Sequence, residues 1–169
     1  PSIMRRCSSA VLARIAASAT RFPDDPAAQR ERIQRAKSDY FYFCKTYLPH
    51  WFGCEFADAH YQLLDELGEP GQKLIQWPRG WAKTTHGAQG IPLWRAISEH
   101  GHFSLIVGKN DPHGKEILLP VVMELEANER ILQDFGEQAT DVWGFENGFL
   151  LRNGRWLDCV GWEGRVRGK

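Results

Sequence analysis

Apolar residues in the first part of the chain recur with the spacing of helices. Residues 3–19 place a few apolar side chains among alanines and serines, which predicts a short, weakly amphipathic helix. A longer helix is predicted over residues 25–48, because Asp25 is a suitable N-cap and Pro26 suits the first helical position. The second half of that helix is rich in aromatic residues, so we expect it to be buried. Residues 1–49 are therefore predicted to form an N-terminal helical segment.

The pattern then changes to short apolar runs that alternate with helices. After a helix over about 57–67, the apolar run at 74–77 predicts a buried strand, and the run at 103–108 predicts a second one. A helix over about 111–125 follows. Residues 149–158 contain Asn-Gly between two apolar runs, which is a strong signal for a β-hairpin. This βαβα progression predicts an α/β fold with a parallel sheet covered by helices.

The connection after the first predicted strand carries the clearest candidate chemistry. It is Trp77-Pro78-Arg79-Gly80-Trp81-Ala82-Lys83-Thr84-Thr85. A strand, a glycine-containing loop and a lysine at a helix start form a phosphate-binding loop, because loop N–H groups and the helix dipole favour an anion there. The usual spelling is G-x-x-x-x-G-K-[ST], and here Trp77 and Ala82 replace the two glycines. An ordinary turn before a helix is the alternative interpretation.

Composition narrows the class of protein. Hydrophobic residues make up 43% of the 169 residues, with seven Trp and nine Phe, which predicts one folded domain. The formal net charge is zero, so nucleic-acid contact would need local basic patches such as residues 1–40, where solvated helix faces are the alternative. No apolar run approaches the ~20 residues needed to cross a bilayer. The four cysteines form no C-x-x-C pair, which predicts neither a zinc site nor a disulfide framework and favours a reducing compartment.

The spelling Pro-Arg-Gly-Trp-Ala-Lys-Thr-Thr at 78–85 closely resembles the deviant Walker A motif of the large terminase subunits of tailed phages. These are the ATPases that drive DNA into preformed capsids, and in them a loop arginine and an alanine for the last glycine are both familiar. The stretch 123–136, the predicted hairpin and the Arg-Gly segment at 164–169 resemble the same family. The resemblance implies a P-loop NTPase fold and makes residues 50–169 the front part of the ATPase domain.

The resemblance also implies ATP and Mg²⁺ as ligands. Arg79 and Lys83 would contact the β- and γ-phosphates and serve catalysis, Thr84 would hold the metal ion, and Thr85 would contact a phosphate oxygen. The other loop residues that would line the nucleotide are Pro78, Gly80, Trp81 and Ala82.

Two further pairs of residues are implied in the same way. Phe52 and Gln62 would hold the adenine, although a core aromatic and an exposed glutamine are their ordinary structural interpretations. Arg165 or Arg167 would act as a finger on the nucleotide of a neighbouring subunit. A basic rim for DNA and plain solvent exposure are the alternatives for each of these arginines.

By resemblance the partners are double-stranded DNA, the portal protein and the small terminase subunit, and the complete protein forms a homo-oligomeric ring in the host cytoplasm, away from membranes. No apolar run after Lys83 is followed by Asp-Asp or Asp-Glu. The Walker B acid, the catalytic glutamate and the nuclease are therefore expected to be missing, so this chain alone should bind ATP without hydrolysing it or cleaving DNA. The alternatives are a helicase-like or mobile-element P-loop ATPase, and a truncated prophage-derived nucleotide-binding protein without turnover.

Overall fold

The computed structural model describes residues 9–98 and 103–162. The first range forms, in order, α1 (Ser9–Ser18), α2 (Pro26–Ser38), α3 (Tyr40–Tyr47), α4 (Asp58–Gly68), a π-helix (Thr84–Gly90) and α5 (Ile91–Ser98). The second range forms β1 (Phe103–Gly108), α6 (Asp111–Ala127), α7 (Glu129–Phe135), β2 (Ala139–Gly144), β3 (Gly148–Leu151) and β4 (Trp156–Gly161).

The strands form one mixed sheet in the order β1-β4-β3-β2. β1 runs parallel to β4, with Ser104 opposite Leu157, whereas the β4–β3 and β3–β2 pairs are antiparallel. The predicted α/β class is confirmed, and so is the hairpin, which consists of β3, a turn at Asn153-Gly154 and β4. Because the hairpin places the antiparallel strand β3 beside β4, the described sheet is mixed and contains one parallel pair. Strand β2 was not predicted.

The predicted strand at 74–77 is wrong. Residues 72–78 have no regular secondary structure, and Leu74 is 86% exposed. A buried strand needs a neighbouring strand to pair its N–H and C=O groups, and none of the described strands pairs with this segment. Ile75 and Trp77 instead pack as individual side chains against the edge of the core.

The helix predicted over residues 25–48 is two helices. Asp39 has an extended backbone and separates α2 from α3. Its carboxylate accepts a hydrogen bond from the Tyr42 N–H at 2.9 Å, so the aspartate caps the second helix. The predicted cap at Asp25 is confirmed, since its carboxylate accepts the Ala27 N–H at 2.9 Å.

Helices on both sides of the predicted segment boundary at residue 49 share one hydrophobic core. Tyr40 and Phe43 of α3 are buried in the same cluster as Leu118 of α6, Ile131 of α7 and Leu157 of β4. The N-terminal helices therefore pack directly on the helices and sheet that follow them.

A buried ion pair fastens α2 to α7. Arg32 donates from Nε and Nη2 to the two carboxylate oxygens of Asp134, at 2.6 and 2.8 Å. The Tyr47 hydroxyl donates to the same carboxylate at 2.6 Å, and the Asp134 side chain is fully buried. Because every donor comes from the N-terminal helices, this carboxylate ties them to the rest of the fold.

The cysteines in the described ranges, Cys44, Cys54 and Cys159, are free thiols. Among the helices that the structure describes, none has the length and apolar character needed to cross a membrane.

Candidate phosphate-binding loop

Two residues of the loop before the π-helix have left-handed backbones. Gly80 has a φ of 90° and Ala82 a φ of 52°. Ala82 is the one non-glycine residue with positive φ in the described ranges, and this conformation costs an alanine about 1 kcal/mol. A left-handed residue beside the right-handed Lys83 turns successive N–H groups toward one side and forms a concavity suited to an anion. Ala82 thus has a backbone conformation that favours glycine.

The side chain of Lys83 folds back over the loop. Its Nζ donates to the carbonyl oxygen of Trp77 and to that of Pro78, the latter at 3.1 Å. Both acceptors belong to the backbone of the loop itself, and residues 78–84 are exposed to solvent. The ammonium group therefore lies at the loop and can reach an approaching ligand without crossing the core.

A continuous helical run begins directly after the lysine. The π-helix Thr84–Gly90 passes into α5, which ends at Ser98. Pro92 has no N–H to donate to the preceding turn, which favours the wider π-helical turns before it. The close packing of this run needs a glycine at position 90, because a Cβ there would lie 2.5 Å from the Tyr40 hydroxyl oxygen. The first turn offers unpaired N–H groups next to the loop.

Aromatic side chains position the loop in place of the predicted strand. The Trp77 ring lies 5.3 Å from that of His60, and the His60 ring stacks on His86 at 4.6 Å. His86 lies in the π-helix, 4.7 Å from the Phe52 ring, and its Nδ1 is 3.0 Å from the Tyr40 hydroxyl. This row of rings connects the loop to the core.

The buried histidine in this row is held in its neutral form. Burial, together with a smaller effect of the neighbouring His60, lowers the pKa of His86 from 6.5 to about 4. Burial also raises the pKa of Tyr40 well above its ordinary value. A neutral imidazole and a neutral phenol are thus the partners in the hydrogen bond beneath the loop.

Two cavities flank the π-helix. The smaller one, of about 280 Å³, adjoins the loop and is lined by Leu63, Ile75, Trp77, Lys83, Thr84, Gly87 and Ala88. The larger one, of about 510 Å³, lies under α1 and is lined by Ala10, Val11, Arg14, His50, Trp51, Thr85, Gln89 and Pro120. Consecutive threonines therefore open onto different cavities, with Thr84 on the smaller and Thr85 on the larger.

The structure brings together only some of the residues expected at a nucleotide site. The loop residues from Pro78 to Thr85 are contiguous and accessible. Phe52, only 5% exposed, is packed in the core, and Gln62 is exposed on α4. Neither residue lines the two cavities beside the π-helix. Arg165 and Arg167 lie outside the described residues.

Sequence reasoning did not single out several residues that lie next to the loop. Gln89 follows Thr85 by four positions, so helical spacing places both on one face of the helix. Phe52 was expected to hold the adenine, whereas its neighbour Trp51 was not. In the structure Trp51 lines the larger cavity and Phe52 packs in the core. The stacked pair of His60 and His86 had no signal in the sequence, because the contact joins two separate helices.

The donor set at the loop fits Mg²⁺ only in part. In the described ranges, no group of three or more His, Cys, Asp or Glu side chains is placed to hold a metal ion. Mg²⁺ is commonly bound by one or two protein oxygens together with substrate phosphates and waters. The exposed Thr84 hydroxyl supplies one such oxygen, so bound phosphates would have to supply others.

Comparisons with models of protein families, with curated proteins and with solved structures found no match to this chain.

Proposed function

We propose that this chain binds ATP or ADP, together with Mg²⁺, at residues 78–85. The observation that carries the proposal is the left-handed backbone of Ala82, directly before the loop lysine. Unfavourable backbone conformations of non-glycine residues cluster at ligand sites, where the surrounding structure maintains them. Here the strained residue precedes a helical run, so the loop N–H groups, the helix dipole and one ammonium group are available to a single anion.

Each polar residue of the loop has a role in the proposal. Lys83 exchanges its two carbonyl partners for phosphate oxygens. Arg79 is exposed and has no hydrogen bond or ion pair within the described part of the chain, so it is free to reach the γ-phosphate. Thr84 supplies an oxygen to Mg²⁺, and Thr85 contacts a phosphate oxygen.

The spelling of the loop supports a more specific assignment. We infer that the site is the ATP-binding part of a packaging ATPase of the terminase type. Its partners would be double-stranded DNA, the portal protein, the small terminase subunit and further copies in a ring. For this chain alone the proposal is nucleotide binding without turnover, since no candidate for the Walker B acid follows Lys83 in the sequence.

Calorimetric titration of Mg-ATP and Mg-ADP into Lys83→Ala tests the site. We expect binding about 10- to 100-fold weaker than in the parent, because a hydrogen bond to a charged group contributes about 1.5–3 kcal/mol. Lys73→Ala is the matched control, since Lys73 lies in the same irregular segment but pairs with Glu66 at 3.4 Å. Equal affinity of the parent and Lys83→Ala for Mg-ATP would remove the loop as the site.

A further inference from the structure

We propose that the cavity of about 510 Å³ under α1 receives the nucleotide base and that Gln89 selects adenine there. This inference rests on the proposed function, because it takes the phosphates to lie at residues 78–85. It places the base away from Phe52 and Gln62, which do not line this cavity.

The direction of the bound nucleotide follows from the two threonines. Lys83 and Thr84 line the smaller cavity at the loop, whereas Thr85 lines the larger one. Terminal phosphates held by Lys83, with their Mg²⁺ on Thr84, leave the inner phosphate beside Thr85. The ribose and base, which follow the inner phosphate, then enter the larger cavity.

The larger cavity has the character of a small-molecule site. Its volume lies within the usual 300–1,000 Å³, whereas that of the smaller cavity, about 280 Å³, lies just below this range. Its walls include Val11, Pro120 and the ring of Trp51, which provide apolar surface for a base. Arg14 adds a positive charge and is held to this place by a hydrogen bond of 3.4 Å to the His50 carbonyl oxygen.

His50 is itself firmly positioned. Its Nε2 lies 2.6 Å from Glu124, whose side chain is 1% exposed, and the Asn128 amide donates to the same carboxylate at 2.8 Å. This buried network fixes the part of the cavity wall that His50 forms.

The orientation of the Gln89 amide favours adenine over guanine in the larger cavity. Gln89 Nε2 donates to the carbonyl oxygen of Ile117 at 3.3 Å, which requires the NH₂ group to point there and leaves Oε1 directed elsewhere. Within the described ranges Oε1 has no hydrogen-bond donor. An acceptor oxygen suits the 6-amino group of adenine and is repelled by the 6-carbonyl oxygen of guanine. The site should therefore prefer ATP to GTP.

The test is calorimetry with three ligands, Mg-ATP, Mg-GTP and Mg-tripolyphosphate, on the parent and on Gln89→Leu. We expect Gln89→Leu to bind Mg-ATP about five- to tenfold more weakly, because one hydrogen bond to the base is lost. Its affinity for Mg-tripolyphosphate should match that of the parent, and its preference for ATP over GTP should disappear. Gln34→Leu, on the exposed side of α2, is the matched control and should bind all three ligands like the parent.

The outcomes separate this inference from the proposed function. If the parent binds Mg-tripolyphosphate and Gln89→Leu binds Mg-ATP like the parent, the base does not lie in this cavity. A selective loss of Mg-ATP binding in Gln62→Leu, with Gln89→Leu unaffected, would place the base at α4 instead. A parent that binds neither Mg-ATP nor Mg-tripolyphosphate would overturn the phosphate site itself. If Gln89→Leu melts well below the parent, Gln89→Asn, which shortens the amide side chain, replaces it in the same titrations.

Discussion

Acidification should destabilise this protein through His86. The pKa of His86 is lowered from 6.5 to about 4 by burial, with a contribution from His60, so the unfolded chain takes up a proton at a higher pH than the folded chain. Well above pH 6.5 the free energy of unfolding therefore does not depend on the titration of His86. As the pH falls from about 6.5 to about 4, protonation of His86 in the unfolded chain lowers the free energy of unfolding. The loss due to His86 alone amounts to about 2 kcal/mol at pH 5 and about 3 kcal/mol at pH 4.

The assay is urea denaturation of the parent and of His86→Gln at several pH values between about 7.5 and 4.5. Removing His86 should cost stability at neutral pH, because the hydrogen bond with Tyr40 and the stacking on His60 are changed. The decline of stability with acid should nevertheless be shallower in His86→Gln than in the parent. All other titrating groups are common to both proteins, so the difference between the two curves isolates one titration.

Two outcomes would refute this reasoning. If the parent and His86→Gln lose stability in parallel between about pH 7 and pH 5, the histidine does not differ in pKa between the folded and unfolded states. A direct measurement is the NMR titration of the His86 ring protons in the folded protein. A midpoint near the ordinary value of 6.5 would show that burial does not hold the ring neutral.

Two further predictions concern packing. Asp134→Asn should lower the free energy of unfolding by about 3 kcal/mol in urea denaturation, because it leaves the largely buried Arg32 without a carboxylate. A loss under about 1 kcal/mol would show that the ion pair does not fasten the N-terminal helices. Gly90→Ala should lower the melting temperature, because its Cβ would lie 2.5 Å from the Tyr40 hydroxyl oxygen, whereas Gly87→Ala meets no atom within 4 Å. Circular dichroism melts of the two alanine variants check this, and equal melting temperatures would contradict the close approach.

The parts of the fold that local sequence signals determine were predicted well. The cap at Asp25 and the Asn-Gly turn of the hairpin were found because each depends on a few adjacent residues. A helix boundary at Asp39 was not predicted, because the apolar pattern continues across this residue. Aspartate is nevertheless as good an N-cap there as at residue 25. A helix boundary within a continuous apolar pattern depends on the direction that the tertiary packing imposes on the chain.

The loop shows where sequence reasoning about the site stops. The helix that begins directly after Lys83 was predicted, because the motif places its lysine at a helix start. The left-handed backbone of Ala82 was not predicted. The strand expected at 74–77 did not form, since strand formation requires a partner strand that a local apolar run cannot reveal. The contacts that replace it, between Trp77, His60 and His86, join three separate segments and follow no periodicity.

The resting position of Lys83 has a consequence for how its contribution to binding is measured. Its ammonium group has two carbonyl partners in the loop, so a phosphate bound there as proposed would compete with Trp77 and Pro78 for it. If the loop binds nucleotide as proposed, the affinity lost in Lys83→Ala is a difference between two sets of partners and understates the strength of the contact with phosphate. The hydrogen bonds from Lys83 to Trp77 and Pro78 also stabilise the loop conformation, so Lys83→Ala should make the loop more mobile. Faster amide hydrogen exchange at residues 77–83, in the absence of any nucleotide, would be the sign of that second role.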